Sequence, residues 1–439
     1  MTDEQKNARF ALTVLFGINL MNFFDRQIAG ALLEPIRIEF GMNDAASAWV
    51  NTAFTLIYAV AGVPLGRLSD TWKRTRVIAI GVTVWSVMTA TSGLAVGYWT
   101  YLFTRMGVGI GEASCAPAGQ ALIGDLYPAE KRARAMGIFM MGLPLGLFAS
   151  YLLSGAIAEA WGWRAAFFVA CLPGLLLAVA ALRIREPARG ASDSAARAAQ
   201  HESGTFGVIL RVPTMWWIIL SGILFNFHAY AVNMFQNAFL QRFHEVSLGT
   251  AGKLSAVSLG LAGAIGLLVG GSLGDRLRMK MANGRLIVAA VAMLCAAPCI
   301  YIALEQPKGS VTVFTILMAA SSACTFVYYA TVYSAIQDVV PAHLRATAVS
   351  VYFFAFYVLG ASFGPTIMGT LSDRMAHAAM LAAGATEMTT AFRATGLHTA
   401  MYVMPVLVLL CAASLFVAAK TVAKDMRRVQ VGAASQTPA

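Results

Sequence analysis

Four charged residues stand where charge is most costly. Asp25 and Arg26 close the apolar run Phe10 to Phe24, and Arg105 and Glu112 sit inside the apolar run 100–123. Ionisable groups within such runs are rare and functional by default. Arg105 and Glu112 are seven positions apart, two turns of helix, and so share a face. Asp25 and Arg26 are consecutive and point about 100° apart on a helix, so one can face a cavity while the other faces a neighbouring helix. A carboxyl taken from water into apolar surroundings holds its proton more tightly, and a nearby guanidinium reverses that. An acid balanced between the two can gain and lose a proton as its surroundings change. Asp25 and Glu112 are therefore expected to carry protons. Arg26 is expected to hold an anionic group or compete with it for Asp25. Arg105 is expected to hold Glu112 or Asp25 when they are ionised. The alternative is a static ion-pair network that fixes helix packing.

The elements that must position these residues are membrane helices. Of 439 residues, 58% are hydrophobic and only 12% are charged, against roughly 25% charged in a soluble domain. Too few polar residues remain to coat a soluble fold of this length, so lipid must contact most of the outer face. A spanning helix needs about 20 mostly apolar residues. Twelve segments meet this: 10–32, 47–67, 77–96, 100–123, 135–157, 164–183, 214–240, 251–274, 285–304, 311–336, 346–370 and 397–419. No long alternating pattern suggests a barrel. The first run ends in Asp25-Arg26 with no small-residue cleavage site, and is read as a retained membrane helix.

The net charge of +11 is divided among short clusters between the apolar runs. This argues against nucleic acid, which calls for a continuous basic patch. The rich loops carry Lys73, Arg74, Arg76; Lys131, Arg132, Arg134; Arg183, Arg185, Arg189, Arg197; and Arg276, Arg278, Lys280. By the positive-inside rule these loops and both termini are expected in the cytoplasm, of a bacterial-type inner (plasma) membrane. The six cysteines all lie in apolar runs and are expected to pack, with no disulfide and no metal site. The six histidines are scattered and no HExxH or P-loop occurs, so neither an enzyme nor an ATP-driven pump is expected. No cofactor is expected.

The chain also repeats itself. Gly66-Arg67-Leu68-Ser69-Asp70 matches Gly271-Ser272-Leu273-Gly274-Asp275, and Asp125…Pro128-Ala129…Arg132-Ala133 matches Asp338…Pro341-Ala342…Arg345-Ala346. Gly17-Ile18 with Asn22-Phe23 matches Gly222-Ile223 with Asn226-Phe227, and all offsets fall between 204 and 213 residues. The expected fold is an all-α membrane protein with twelve transmembrane helices in two six-helix pseudo-symmetric bundles. Residues 1–185 form the first bundle, 186–212 a cytoplasmic linker, 213–425 the second bundle and 426–439 a disordered tail. Parallel repeats of this kind place a substrate site near the bilayer midplane, at the interface between halves.

Aligned by the repeat, the seventh helix has Ala229 and Tyr230 where the first has Asp25 and Arg26, so the charges were not duplicated. The second half offers Phe227, His228, Tyr230, Tyr329 and Tyr357 as binding candidates, joined by Asn22 from the first. Charged residues on one side and aromatic residues on the other suit an amphipathic anion. Pro117, Pro144 and Pro365 are expected to kink their helices.

Gly66, Asp70, Lys73, Arg74 and Arg76 resemble the loop motif of the major facilitator superfamily, and Gly271, Asp275 and Arg276 resemble its second copy. Lys73 stands where a glycine is usual. Arg105-Met106-Gly107-Val108-Gly109 resembles that superfamily's fourth-helix motif, and Gly142, Pro144 and Gly146 with Gly360, Gly364 and Pro365 its fifth-helix motif. The resemblance implies that Asp70, Arg74, Asp275 and Arg276 are gating ion-pair residues. Asn22-Phe23-Phe24-Asp25-Arg26, Arg105 with Gly111-Glu112-Ala113-Ser114, and Arg185-Glu186-Pro187 resemble the spinster family of lipid transporters. That resemblance implies proton-coupled, alternating-access transport of lysophospholipid or sphingosine phosphate by a single chain, with protons and membrane lipids as partners. The Asp-Arg and Arg…Gly-Glu-Ala elements are shared with anion:cation symporters, which implies the alternative of a proton-coupled symporter of small organic or sugar acids.

Overall fold

The computed structural model describes residues 2–188, 211–340 and 344–434. The first helix, α1 (Asp3–Ala31), is opened by a capping box in which Thr2 Oγ1 accepts from the Gln5 amide and Gln5 Oε1 accepts from the Thr2 amide. Then follow α2 (Leu33–Glu39), α3 (Asp44–Thr71), α4 (Arg74–Ser92), α5 (Tyr98–Glu112), α6 (Cys115–Leu126), α7 (Ala129–Met140), α8 (Gly142–Trp161) and α9 (Trp163–Leu182). The later chain forms α10 (Pro213–Arg242), α11 (Leu248–Ser255), α12 (Ala262–Lys280), α13 (Gly284–Leu304), α14 (Val311–Asp338), α15 (Arg345–Ala355), α16 (Phe363–Ala382), α17 (Thr390–Met401) and α18 (Val403–Ala434). Two π-helical stretches, Ala256–Leu261 and Phe356–Ser362, join α11 to α12 and α15 to α16.

Several spans are broken in the middle, and proline explains where. Pro35, Pro117, Pro144, Pro365 and Pro405 are each the third residue of a new helical segment. The first residues of a helix have no intrahelical partner for their N–H groups, so a proline there forfeits nothing, whereas the turn before it is interrupted. With the halves of each broken span joined, and α2 set aside, the described residues form twelve helical runs. Nine are long and apolar enough to cross a membrane by length and composition. The remaining three are α1, α4 and the α5–α6 pair. These carry Asp25 and Arg26, Arg74, and Arg105 and Glu112, the residues singled out for their chemistry.

The surface is apolar where a soluble protein's would be polar. Leu172, Leu176 and Val179 stand exposed at turn spacing on α9, as do Ile265, Leu268 and Val269 on α12. Lipid supplies no hydrophobic drive between helices, so close packing must hold them together. In the first unit Gly142 and Gly146 on α8 meet α1 so closely that a methyl on Gly146 would lie 2.5 Å from the Leu20 carbonyl oxygen. Asn19 Nδ2 donates to the Phe139 carbonyl at 2.8 Å beside them. In the second unit Gly360 and Gly364 meet α10 in the same way, and Asn226 Nδ2 donates to the Phe356 carbonyl at 2.8 Å. The repeat is thus visible in the seam itself: Gly146 meets the Leu20 carbonyl, Phe23 and Phe24 as Gly360 meets the Ile223 carbonyl, Asn226 and Phe227.

The chain forms two compact units, residues 1–199 with 233–256, and residues 200–232 with 257–439. The stretch 233–256 therefore packs with the first half of the sequence, although the repeat assigns it to the second. Most of the expected linker, residues 189–210, lies outside the described residues. Of the tail expected to be disordered, residues 426–434 continue α18, and 435–439 lie outside the described residues.

Candidate functional site

α1 carries Asp25 and Arg26 less than two turns before its end, and α5 ends on Glu112 with Arg105 two turns earlier. All four are buried: Asp25 and Glu112 have no exposed surface, Arg105 is 2% exposed and Arg26 8%. Arg26 crosses to α5, where its Nε donates to Glu112 Oε2 at 2.8 Å. Its guanidinium also lies 4.2 Å from the centroid of the Tyr58 ring on α3, with the Phe54 and Phe23 rings further off. The second oxygen of Glu112 has no hydrogen-bond partner among the described residues.

Arg105 does something the sequence did not suggest. Its Nη2 donates to the backbone carbonyl of Asp25 at 2.7 Å and not to either carboxylate, and its Nη1 is unpartnered among the described residues. Among the described residues neither carboxylate oxygen of Asp25 has a partner in full hydrogen-bond geometry. The Trp85 indole and Thr89 hydroxyl of α4 flank that carboxylate as potential donors. The four charged residues expected to act together are therefore brought together, with Glu112 paired to Arg26 and Asp25 left with unmade bonds. Asn22 is buried on the same helix. Sequence reasoning missed Tyr58, Trp85 and Thr89. Phe54 and Tyr58, four apart with rings 6.3 Å apart, were legible only as an aromatic stripe on a membrane helix.

The second unit holds a ring cluster. Phe225 stacks on Tyr328 at 4.1 Å between centroids and meets Tyr329 edge-on at 5.0 Å, and Phe356 meets Tyr357 edge-on at 5.3 Å. Tyr230 and Tyr357 lie beside Tyr329. Behind them Tyr328 Oη is shared between Ser221 Oγ at 2.9 Å and Tyr352 Oη at 3.1 Å, all fully buried. Phe227 packs under Gly364, and His228 is buried with its Nδ1 unpartnered among the described residues.

The gating candidates sit at helix ends. Arg74, first residue of α4, donates from Nη1 to Asp125 and from Nε to Glu186 Oε1 at 3.0 Å. Glu186 also takes the backbone N–H groups of Arg74 and Thr75, so a distant carboxylate caps α4. The side chain of Asp70 lies outside the described residues. In the second unit Asp275 accepts from Arg285 Nη2 at 2.8 Å, and Arg285 Nη1 donates to Asp338 at 2.8 Å. Arg276 is exposed and makes no ion pair among the described residues. It follows Asp275 directly on a helix and so points away from it. The counterpart of Arg74 is Arg285, which likewise opens its helix and holds the repeated aspartate. No group of three or more His, Cys, Asp or Glu suited to a metal ion occurs among the described residues.

A repeated bundle of membrane helices with buried, partly unsatisfied charges in one half defines a multi-pass membrane transporter. Residues 15–365 match the sequence profile of the Major Facilitator Superfamily, and the chain belongs to that family. It is 29% identical to an MFS-type efflux pump of Mycolicibacterium smegmatis, covering 84% of this chain and 86% of that protein. It is 27% identical to protein spinster homolog 3 of Danio rerio, covering 85% and 78%. Among solved structures, a bacterial homologue of the human lysosomal transporter spinster, inward-facing and unoccupied, superposes with a TM-score of 0.83 at 28% identity, covering 95% of this chain and 98% of that one.

Proposed function

We propose that this chain is a proton-coupled secondary transporter of an amphipathic anionic lipid, of the lysophospholipid or sphingosine-phosphate class, working by alternating access. The observation that carries it is the Arg26–Glu112 pair set beside the unpartnered Asp25 carboxylate. A guanidinium stacked on an aromatic ring and held by one carboxylate can exchange that carboxylate for a phosphate or another anion. An anion that takes Arg26 leaves Glu112 buried without its counter-charge, which is costly unless a proton binds. Substrate and proton would thus bind together. Asp25 and Glu112 are the proton-carrying acids in this scheme. Arg26 holds the head group, Arg105 steadies the Asp25 backbone, and Asn22 adds a polar contact.

The ring cluster of the second unit, with Phe227, His228, Tyr230, Tyr329 and Tyr357, offers apolar surface of the kind an acyl chain takes. Arg74 with Asp125 and Glu186, and Asp275 with Arg285, act as gating pairs that hold in one state and part in the other. Asp70 and Arg276 belong to the same loops. The similarity to spinster proteins supports the lipid cargo, and the similarity to an efflux pump is compatible with outward transport. The basic loops support cytoplasmic termini in a bacterial-type inner membrane, with one chain as the working unit.

The test is reconstitution in liposomes under an imposed pH gradient, offering lysophospholipids, sphingoid phosphates and sugar acids. Lipid uptake that follows the gradient is expected. Uptake that ignores the gradient removes proton coupling. Uptake of sugar acids alone replaces the lipid cargo with the organic-acid one.

A further inference from the structure

The Asp25 carboxyl of α1 is fully buried, and the guanidiniums beside it bond elsewhere. Arg26 gives its Nε to Glu112 at 2.8 Å, and Arg105 gives its Nη2 to the Asp25 backbone carbonyl at 2.7 Å. Arg105 Nη1 stays without a partner among the described residues, and its guanidinium lies 5.5 Å from the centroid of the Phe54 ring. Glu112 adds a like charge from α5, and the Cys171 thiol of α9 lies beside the same carboxyl. On the α8 side Ser150 Oγ donates to the Phe24 carbonyl at 2.8 Å. What α4 brings to Asp25 is neutral: the Trp85 indole and the Thr89 hydroxyl.

Trp85 and Thr89 are four apart on α4 and so share one face. Both are fully buried, and neither Trp85 Nε1 nor Thr89 Oγ1 finds an acceptor elsewhere among the described residues. A buried donor without an acceptor is costly, and the carboxylate they flank accounts for both. Close packing fixes the indole there. A methyl on Gly111 of α5 would lie 2.6 Å from the Trp85 backbone nitrogen. A methyl on Gly174 of α9 would collide with Ser86 Oγ and lie 3.7 Å from Trp85 Nε1. Two glycines thus seat α4 tightly between α5 and α9.

We propose that Trp85 and Thr89 are the positioning residues of Asp25, holding its carboxylate by hydrogen bonds and setting the pH at which it takes a proton. The two are not equivalent. An indole N–H only donates, and it gives more to an ionised oxygen than to a neutral one. A hydroxyl donates to the ionised carboxylate and, turned about its C–O bond, accepts from the protonated one. Trp85 therefore favours the charged form, and Thr89 serves both. A cation in the place of Trp85 would lock the charged form, and an apolar ring the neutral one. Neutral donors leave both within reach. This role presupposes that Asp25 carries a proton, and names what governs that proton.

The test is infrared difference spectroscopy of the full-length protein in lipid nanodiscs, titrated over pH, with Asp25→Asn identifying the carboxyl band of Asp25. Trp85→Phe should move the half-point of that band to higher pH by about one unit, tenfold in proton affinity, the scale of one hydrogen bond to a charged group. Thr89→Val should move it the same way by less, and Thr89→Ser should restore it. The pH profile of gradient-driven uptake should move with the band. A half-point unchanged or lowered in either variant means that the two residues only pack, and overturns the inference while leaving Asp25 a proton carrier. A band that does not titrate in the unaltered protein removes Asp25 as a proton carrier and the inference with it. Should Trp85→Phe not fold, Thr89→Val beside Thr89→Ser decides alone.

Discussion

Arg26 is held by Glu112, on another helix, and not by its sequence neighbour Asp25. The two acids therefore stand in different situations, one paired and one whose carboxylate has no partner in full hydrogen-bond geometry among the described residues. Neutral isosteres separate their roles. Asp25→Asn and Glu112→Gln should each abolish uptake driven by a pH gradient while keeping substrate exchange across liposomes without one. Full gradient-driven uptake by both variants would refute their assignment as proton carriers.

Arg26 combines an ion pair with a ring contact, and lysine reproduces only the charge. Arg26→Lys should lower uptake at least about tenfold, since a planar two-point hold on an oxyanion is lost. Tyr58→Leu removes the ring beneath the guanidinium, a contact worth about 0.5–2 kcal/mol, and should weaken apparent substrate affinity with less effect on maximal rate. Initial-rate measurements over a substrate range distinguish the two outcomes.

Gly111 lies where α5 crosses α4, directly before Glu112. A methyl there would sit 2.6 Å from the Trp85 backbone nitrogen and 2.7 Å from the Gly81 carbonyl oxygen. Backbone on both sides leaves nothing flexible to yield. Gly111→Ala should cost about 1–3 kcal/mol, as overpacking typically does, and should displace Glu112 from Arg26. Thermal unfolding in detergent reads the first effect and gradient-driven uptake the second.

Burial on its own would push the Glu186 carboxyl up, but the bonds from Arg74 and Thr75 and the Arg74 charge outweigh it and hold it below the usual 4.5. A depressed carboxyl contributes stability that is complete above its ordinary value and is lost as pH falls through the lowered one. Glu186→Gln should therefore cost about 2 kcal/mol at neutral pH, the scale of hydrogen bonds to a charged group, with the deficit shrinking in acid. Unfolding curves at neutral and acid pH compare the two proteins. A deficit of the same size at both would show that the charge of Glu186 contributes nothing.

The spans were legible because lipid imposes a length and an apolarity that few other settings demand. The central charges were legible for the same reason: Asp25, Arg26, Arg105 and Glu112 stand out against apolar neighbours. Their pairing was not, since sequence places Arg105 and Glu112 on one face but says nothing of the carbonyl that Arg105 finds on α1. Arg37 and Arg242 were overlooked for the opposite reason. They fall at helix ends, where charge is ordinary, and only the folded chain shows them buried against Glu34 and Asp44. Arg276 came from the likeness to the loop motif, whereas Arg285 meets Asp275 only in the folded chain, since adjacency in sequence is not adjacency in space.

The two asparagine bonds bear on recombination. Each asparagine bracket, Asn19 to Phe139 and Asn226 to Phe356, closes within its own half of the chain. Either half grafted onto a relative would carry its own bracket whole. A half of the chain is nevertheless not a free-standing piece for recombination: a joint between residues 189 and 210 would part residues 233–256 from the Ala31, Asp44 and Gly155 they pack against.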